Sequence, residues 1–191
     1  MRIIGGIARG RRLLTPGKGP EGRSIRPTSA RAREAVFNII GSEVRDATVL
    51  DLFAGTGAMG LEALSRAAQT AVFVDNSPAA VRLLGRNIDL CGFAERAKVV
   101  RRELTKSFYF LREFVPATGF SLIFIDPPYR QEAGGLILDK LDRAEILANS
   151  GLVILEHAAG GRLLEESGSL QLVDRRQYGE AGFGFYRYRE V

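Results

Sequence analysis

The chain of 191 residues holds one cysteine, one histidine and no tryptophan. A lone Cys91 excludes an internal disulfide and suits a reducing cytosol. With only His157 beside it, no zinc site is expected, and His157, which follows an apolar run, reads as a structural residue. No apolar run approaches the roughly 20 residues a membrane-spanning helix requires. The opening Met1-Arg2-Ile3-Ile4-Gly5-Gly6 also lacks the apolar centre of a signal peptide. These absences point to a cytoplasmic protein without a membrane anchor or a metal. What is present, 46% hydrophobic and 26% charged residues, suffices for one α/β domain with a full core and a small appendage.

The net charge of +5 is unevenly spread. Residues 1–47 contain ten basic and four acidic side chains, whereas residues 48–191 contain seventeen and eighteen. The whole cationic surplus therefore lies in the first quarter, as in an arm that meets a polyanion. Arg9, Arg11, Arg12, Arg26, Arg31 and Arg33 are the candidate contacts. A solvated basic surface is the plainer alternative. We divide the chain into a basic extension, 1–47, and a catalytic domain, 48–191.

Gly and Arg dominate the opening, which suggests a short strand or hairpin before the Pro16-Gly17-Lys18-Gly19-Pro20 breaker. Thr28 or Ser29 can cap a following helix that buries Ala32, Ala35, Val36, Ile39 and Ile40, turns Arg31 and Arg33 elsewhere and stops at Gly41. From Thr48 onward, short apolar runs alternate with helical segments, the pattern of a doubly wound, mostly parallel sheet. Ser77-Pro78 starts one helix and Gly92 stops it. Another helix is expected around Lys106 to Phe114. The segments about Leu170 to Tyr178 and Phe183 to Arg189 read as a closing antiparallel hairpin.

Two stretches carry chemistry. Gly55, Gly57 and Gly60 form G-x-G-x-x-G between a strand and a helix, with Asp75 twenty residues after Gly55, where a ribose-binding acid belongs. Alone, that motif would suit a dinucleotide. Four successive strands, however, each end near a carboxylate: Asp51, Asp75, Glu103 and Asp126. A pyrophosphate near Asp51 would meet like charge, whereas S-adenosylmethionine carries an ammonium and a sulfonium. At an effective dielectric of roughly 20, opposite charges about 4 Å apart attract by about 4 kcal/mol. The sign favours the cationic cofactor.

The second stretch is Asp126-Pro127-Pro128-Tyr129, which ends the run Leu122-Ile123-Phe124-Ile125. The prolines fix the backbone, so the Asp126 carboxylate and the Pro127 carbonyl can converge as two acceptors beside the Tyr129 ring. That set suits a planar base bearing an exocyclic amine. A proline-rich turn with a core tyrosine is the other reading.

The run Asp51-Leu52-Phe53-Ala54-Gly55-Thr56-Gly57 with Asp75 and Asp126-Pro127-Pro128-Tyr129 resembles class I methyltransferases that modify exocyclic amines. Arg2-Ile3-Ile4-Gly5-Gly6, Arg9-Gly10-Arg11, Arg26-Pro27-Thr28 and Arg33-Glu34-Ala35-Val36-Phe37-Asn38 narrow the likeness to the ribosomal small-subunit methyltransferase D family. The resemblance covers nearly the whole chain. It implies a Rossmann-like, seven-stranded sheet and methylation of a guanine N2 in 16S rRNA by S-adenosylmethionine. It also implies a substrate that is an assembled or assembling small subunit, and we expect a monomer.

Asp51, Phe53, Ala54, Gly55, Thr56, Gly57, Asp75, Asn76, Glu103 and Leu104 are then the expected cofactor residues. Asp126, Pro127, Pro128 and Tyr129 are the expected catalytic ones. Arg101-Arg102-Glu103-Leu104 departs from the family, where Asp or Asn before a small residue is commoner. A DNA adenine or cytosine amino-methyltransferase would share the core motifs. A non-enzymatic RNA-binding assembly factor and an NAD dehydrogenase are further alternatives.

Overall fold

The computed structural model describes residues 1–16, 29–104, 107–127 and 133–189. Arg26, Thr28, Pro128 and Tyr129 lie outside the described residues. Five parallel strands form most of the sheet: β1 (Thr48–Leu52), β2 (Thr70–Asp75), β3 (Ala97–Arg101), β4 (Phe120–Ile125) and β5 (Leu147–Ala158). Three antiparallel strands complete it: β6 (Glu166–Ser167), β7 (Leu170–Tyr178) and β8 (Ala181–Tyr188). The order is β3-β2-β1-β4-β5-β8-β7-β6, so the sheet has eight strands where seven were expected, the addition being the two-residue β6 at the edge. Gly179, at φ +64°, and Glu180 make the two-residue turn from β7 to β8.

Helices α1 (Ala30–Ile40), α2 (Ala58–Ser65), α3 (Pro78–Cys91) and α4 (Ala133–Ala144) cover the sheet. One core cluster joins α1, α2 and α3 to Val49, Phe73, Phe124 and Ile154; another joins α4 to Leu50, Ile123, Ile125 and Val153. Alternating residues of the same strands feed opposite layers, as the pleat requires. Ser77 caps α3, Pro78 is its first residue and Gly92 ends it in the left-handed region, as the sequence indicates. Of the helix expected around Lys106 to Phe114, Lys106 lies outside the described residues and Tyr109–Glu113 forms a 3₁₀ helix. Its buried anchors, Phe108 and Leu111, are three residues apart, the repeat of a 3₁₀ helix.

The register of α1 also differs from expectation. Ser29 caps it and Gly41 ends it, but the buried face is Ala32, Arg33, Val36, Phe37 and Ile40, while Ile39 is 36% exposed. Arg33 turns inward because α2 presents a buried carboxylate there. Glu62 accepts hydrogen bonds from the amides of Ile4 and Gly5, both at 2.8 Å, and from Arg66 Nε at 2.8 Å. Arg33 Nε lies 3.6 Å from Glu62 Oε2, and its guanidinium donates to the Arg2 carbonyl at 2.6 Å.

This network docks residues 1–16 onto α2. Ile3, Ala8 and Leu13 enter the same core cluster as Val36 and Phe37. Ile7 N–H donates to the Ser65 carbonyl and Ala8 N–H to Ser65 Oγ. Gly6, at φ +74°, passes so close to Ser65 that a Cβ there would lie 1.8 Å from its carbonyl oxygen. A side chain at position 6 would push the whole segment off the helix.

Candidate active site

The parallel sheet reverses its winding between β1 and β4, and ligands of open α/β sheets bind outside the carboxyl ends of the strands at such a point. Asp51 on β1 stands beside Phe73 of β2 and Phe124 of β4, and Phe124 stands beside Ile154 of β5. Alternation then places Asp75, Asp126 and Glu156, each two residues further on, on the face that Asp51 occupies. Four carboxylates thus share one face of one sheet edge.

Two of them, Asp51 and Asp126, have few hydrogen-bond donors among the described residues. Asp51 is 4% exposed, and its Oδ2 accepts one hydrogen bond, from Gly60 N–H in the first turn of α2 at 2.9 Å. Burial pushes its pKa up to about 7 against that bond, and nearby Asp75 adds to the rise. Asp126 is pushed up to about 8, first by burial and then by the charges of Glu156 and Asp51. Asp126 therefore resists ionising beside the charges of Glu156 and Asp51.

The glycine loop is shaped around Asp75. Its Oδ2 accepts from Gly55 N–H at 2.9 Å and its Oδ1 from Ser77 N–H at 2.8 Å, which fixes the loop against the end of β2. Ala54 N–H donates to Val74 O and Gly57 N–H to Ala54 O. Phe53 is held at φ +59°, an unfavourable conformation for a residue with a side chain. Gly57 and Gly60 are packing glycines: a Cβ at either would lie 2.3 Å from Leu84 or Phe73. Gly55 differs, since its added Cβ would meet nothing nearer than the Phe53 carbonyl oxygen at 3.9 Å. Open space above that backbone, with carboxylates at the neighbouring strand ends, fits S-adenosylmethionine in shape and in charge.

Asn76 donates to Glu103 at 3.1 Å, bringing the ends of β2 and β3 together. Leu104 is 2% exposed and sits with Val100 and Phe108 in the core, so its side chain serves packing. Arg9, Arg11, Arg12 and Arg31 are exposed. Arg33 is a correction: fully buried against Glu62, it presents no surface to a phosphate.

Two contributors escaped the sequence reading. Glu156 ends the buried run of β5 just as the other acids end theirs, so the signal was present one residue beyond Leu155. Asn87, also fully buried, donates to the Thr56 carbonyl at 2.9 Å and to the Leu14 carbonyl, while its Oδ1 accepts from Leu14 N–H. It ties the glycine loop to the N-terminal segment. A polar residue in mid-helix gives no local sign of such a role.

Sheet order, glycine loop and strand-end acids together define a class I, S-adenosylmethionine-dependent methyltransferase. Residues 1–187 match the family model described as Conserved hypothetical protein 95. The chain is 32% identical to the ribosomal RNA small subunit methyltransferase D of Escherichia coli K12, over 98% of this chain and 89% of that one. It is 33% identical to YlbH of Bacillus subtilis over 99% and 100% of the two chains. The solved structure of the Thermus thermophilus protein TTHA0928 superposes with a TM-score of 0.80 at 32% identity, covering 98% of this chain and 99% of that one. The chain belongs to the ribosomal RNA small subunit methyltransferase D family.

Proposed function

We propose that this protein methylates the exocyclic N2 amine of a guanine in 16S rRNA. The observation that carries the reading is Asp126-Pro127 at the winding reversal, in a chain alike over nearly its full length to an enzyme named for the small-subunit rRNA. The lone pair of such an amine is delocalised into the ring, so the nitrogen is a poor nucleophile. Hydrogen bonds from its two N–H groups to the Asp126 carboxylate and the Pro127 carbonyl favour the pyramidal form that attack requires. When bound, S-adenosylmethionine supplies an electrophilic methyl group on sulfur.

The charge of a bound cofactor would favour ionised carboxylates, and Asp126 is suited to take the proton released from nitrogen because burial and acidic neighbours raise its affinity for one. Asp75 and Asn76 would hold the ribose, Glu103 and the backbone at Leu104 border the adenine, and Asp51 and the loop from Phe53 to Gly57 the methionyl part. Tyr129, by its place in the motif, would stack on a base swung out of the RNA, with Pro128 stiffening its approach. Arg9, Arg11, Arg12, Arg26 and Arg31 would meet phosphates, making 1–47 the RNA-binding part and 48–191 the catalytic part. We place the enzyme in the cytoplasm as a monomer acting on an assembled or assembling small subunit. Among the described residues no helix is long and apolar enough to cross a membrane.

The test is incubation with labelled cofactor and unmethylated small subunits or naked rRNA, then nucleoside mapping. N2-methylguanine at one position is expected. Product confined to N6-methyladenine or N4-methylcytosine, or transfer to DNA alone, would overturn the reading.

A further inference from the structure

Resting on the reading that the substrate is rRNA, we infer that the outer face of α3 and the end of β3 form a second phosphate-binding surface, centred on Arg82 and Arg86. In the sequence the charges of residues 48–191 nearly cancel, but folding segregates them. Acids of this part are gathered at the strand ends or paired on the surface, as Glu145 is with Arg112 and Glu166 with Arg189. Residues 78–102 are left with six basic and two acidic side chains. Arg82, Arg86, Arg101 and Arg102 are exposed, and none of the four makes an ion pair with a described residue. Unmatched cations on one face are the electrostatic footprint of a polyanion.

These four cations stand toward the cofactor edge. Arg82 and Arg86 lie in successive turns of α3, which starts just past the end of β2. Arg101 pairs in register with Asp75, and Arg102 N–H donates to the Asp75 carbonyl at 3.1 Å. The two acids of the stretch, Asp89 in the last turn of α3 and Glu95 in the 3₁₀ turn beyond it, lie toward the other end. There the N-terminal segment meets the helix: Leu14 exchanges hydrogen bonds with Asn87, and the charge of Arg11 acts on Cys91, the last residue of α3. The basic arm and the basic helix face therefore adjoin. Gly85 adds a second, independent sign. It sits in mid-helix next to Arg86 and one turn from Arg82, where glycine costs stability relative to alanine. A Cβ there would meet no atom within 4 Å, so packing does not demand the glycine. Its bare backbone leaves room beside two guanidinium groups for a sugar-phosphate chain to come close. Charge on β3 also guards an open sheet edge, so the arginines of α3 carry the test.

The probe is whichever substrate the wild-type enzyme methylates, unmethylated small subunits or naked 16S rRNA, titrated over a range of salt concentrations. The double variant Arg82→Ala, Arg86→Ala should bind it roughly 10- to 50-fold more weakly near 0.1 M salt, with a log-log salt slope shallower by about 0.7 to 0.9 for each phosphate no longer neutralised. Cofactor affinity and turnover at saturating RNA should stay at the wild-type level, so the loss appears in KM. Gly85→Glu improves helix propensity while placing a carboxylate on the same face, and should weaken RNA binding without lowering the unfolding temperature. Unchanged affinity and slope in the double variant overturn this inference and leave the proposed function standing. Weaker binding at an unchanged slope also overturns it, because phosphate contacts release counterions. If the double variant fails to fold, Gly85→Glu decides alone, and wild-type RNA affinity in that variant overturns the inference. A wild-type enzyme that methylates neither form of the substrate is a separate outcome, which overturns the proposed function and this inference with it.

Discussion

Two regions of this molecule bury carboxylates, and they treat them in opposite ways. Glu62 on α2 accepts hydrogen bonds from two backbone amides and Arg66, and the buried Arg33 guanidinium stands 3.6 Å away as its counter-charge. Asp51, a short distance along the same chain, accepts a single amide, and no described residue donates a hydrogen bond to the carboxylate of Asp126. Matched charge holds an N-terminal segment in place and gives the fold one arrangement. Unmatched charge raises the proton affinity of its own members and waits for a cation. Acidity at the first region is architecture; at the second it is a binding and catalytic resource set aside at some cost to stability.

The contrast breaks most visibly at Glu62. Glu62→Ala leaves Arg33 charged and buried with its partner gone, and urea unfolding should show a loss of about 3 to 5 kcal/mol. At the other region Asp126→Asn should lower methyl transfer by roughly 10²- to 10³-fold while the protein remains folded. The sign of its effect on stability is opposite to that of Glu62→Ala. Because the pKa of Asp126 is raised from 3.8 to about 8, its contribution is full below about pH 4 and lost as pH rises through about 8. Asn does not titrate, so unfolding at pH 6 and pH 9 should show a smaller decline in the variant. An equal decline would mean that Asp126 is already ionised in the free protein at pH 6.

Asp75 combines both treatments, since two amides hold it and the proposed ribose would share it. Asp75→Ala should weaken cofactor binding by roughly 10- to 100-fold in calorimetry, with a smaller change in turnover at saturation. Smallest of all should be the exposed arginines. Replacing Arg9, Arg11 and Arg12 by Ala should weaken RNA binding and flatten its log-log salt dependence by about 0.7 to 0.9 for each phosphate no longer neutralised. Cofactor affinity should not move. An unchanged slope would remove this segment from the RNA interface.

Local signals account for what was legible in the sequence. Strand-end acids, the glycine spacing, the Ser77-Pro78 helix start and the apolar runs all announce themselves within a few residues. Arg33 shows where that reading ends. Its position on α1 looked solvated because the residue that neutralises it, Glu62, is 29 positions away. Asn87 is the same case, since its partners are the backbone of Leu14 and Thr56, which no side-chain pattern encodes. The extra edge strand β6 is two residues long and leaves no periodicity to detect. Glu156 was different, being legible but passed over because the apolar run ends at Leu155.

The position of β8 has a consequence for the order of assembly. It comes last of the strands in the sequence, yet it lies inside the sheet, between β5 and β7. During synthesis β5 and β7 emerge before the strand that joins them, so Val153, Ile154 and Leu155 spend that interval on an unpaired, apolar edge. A nascent chain that pauses there is exposed to wrong pairing with a second copy, and the hazard ends only when Ala181–Tyr188 slots in.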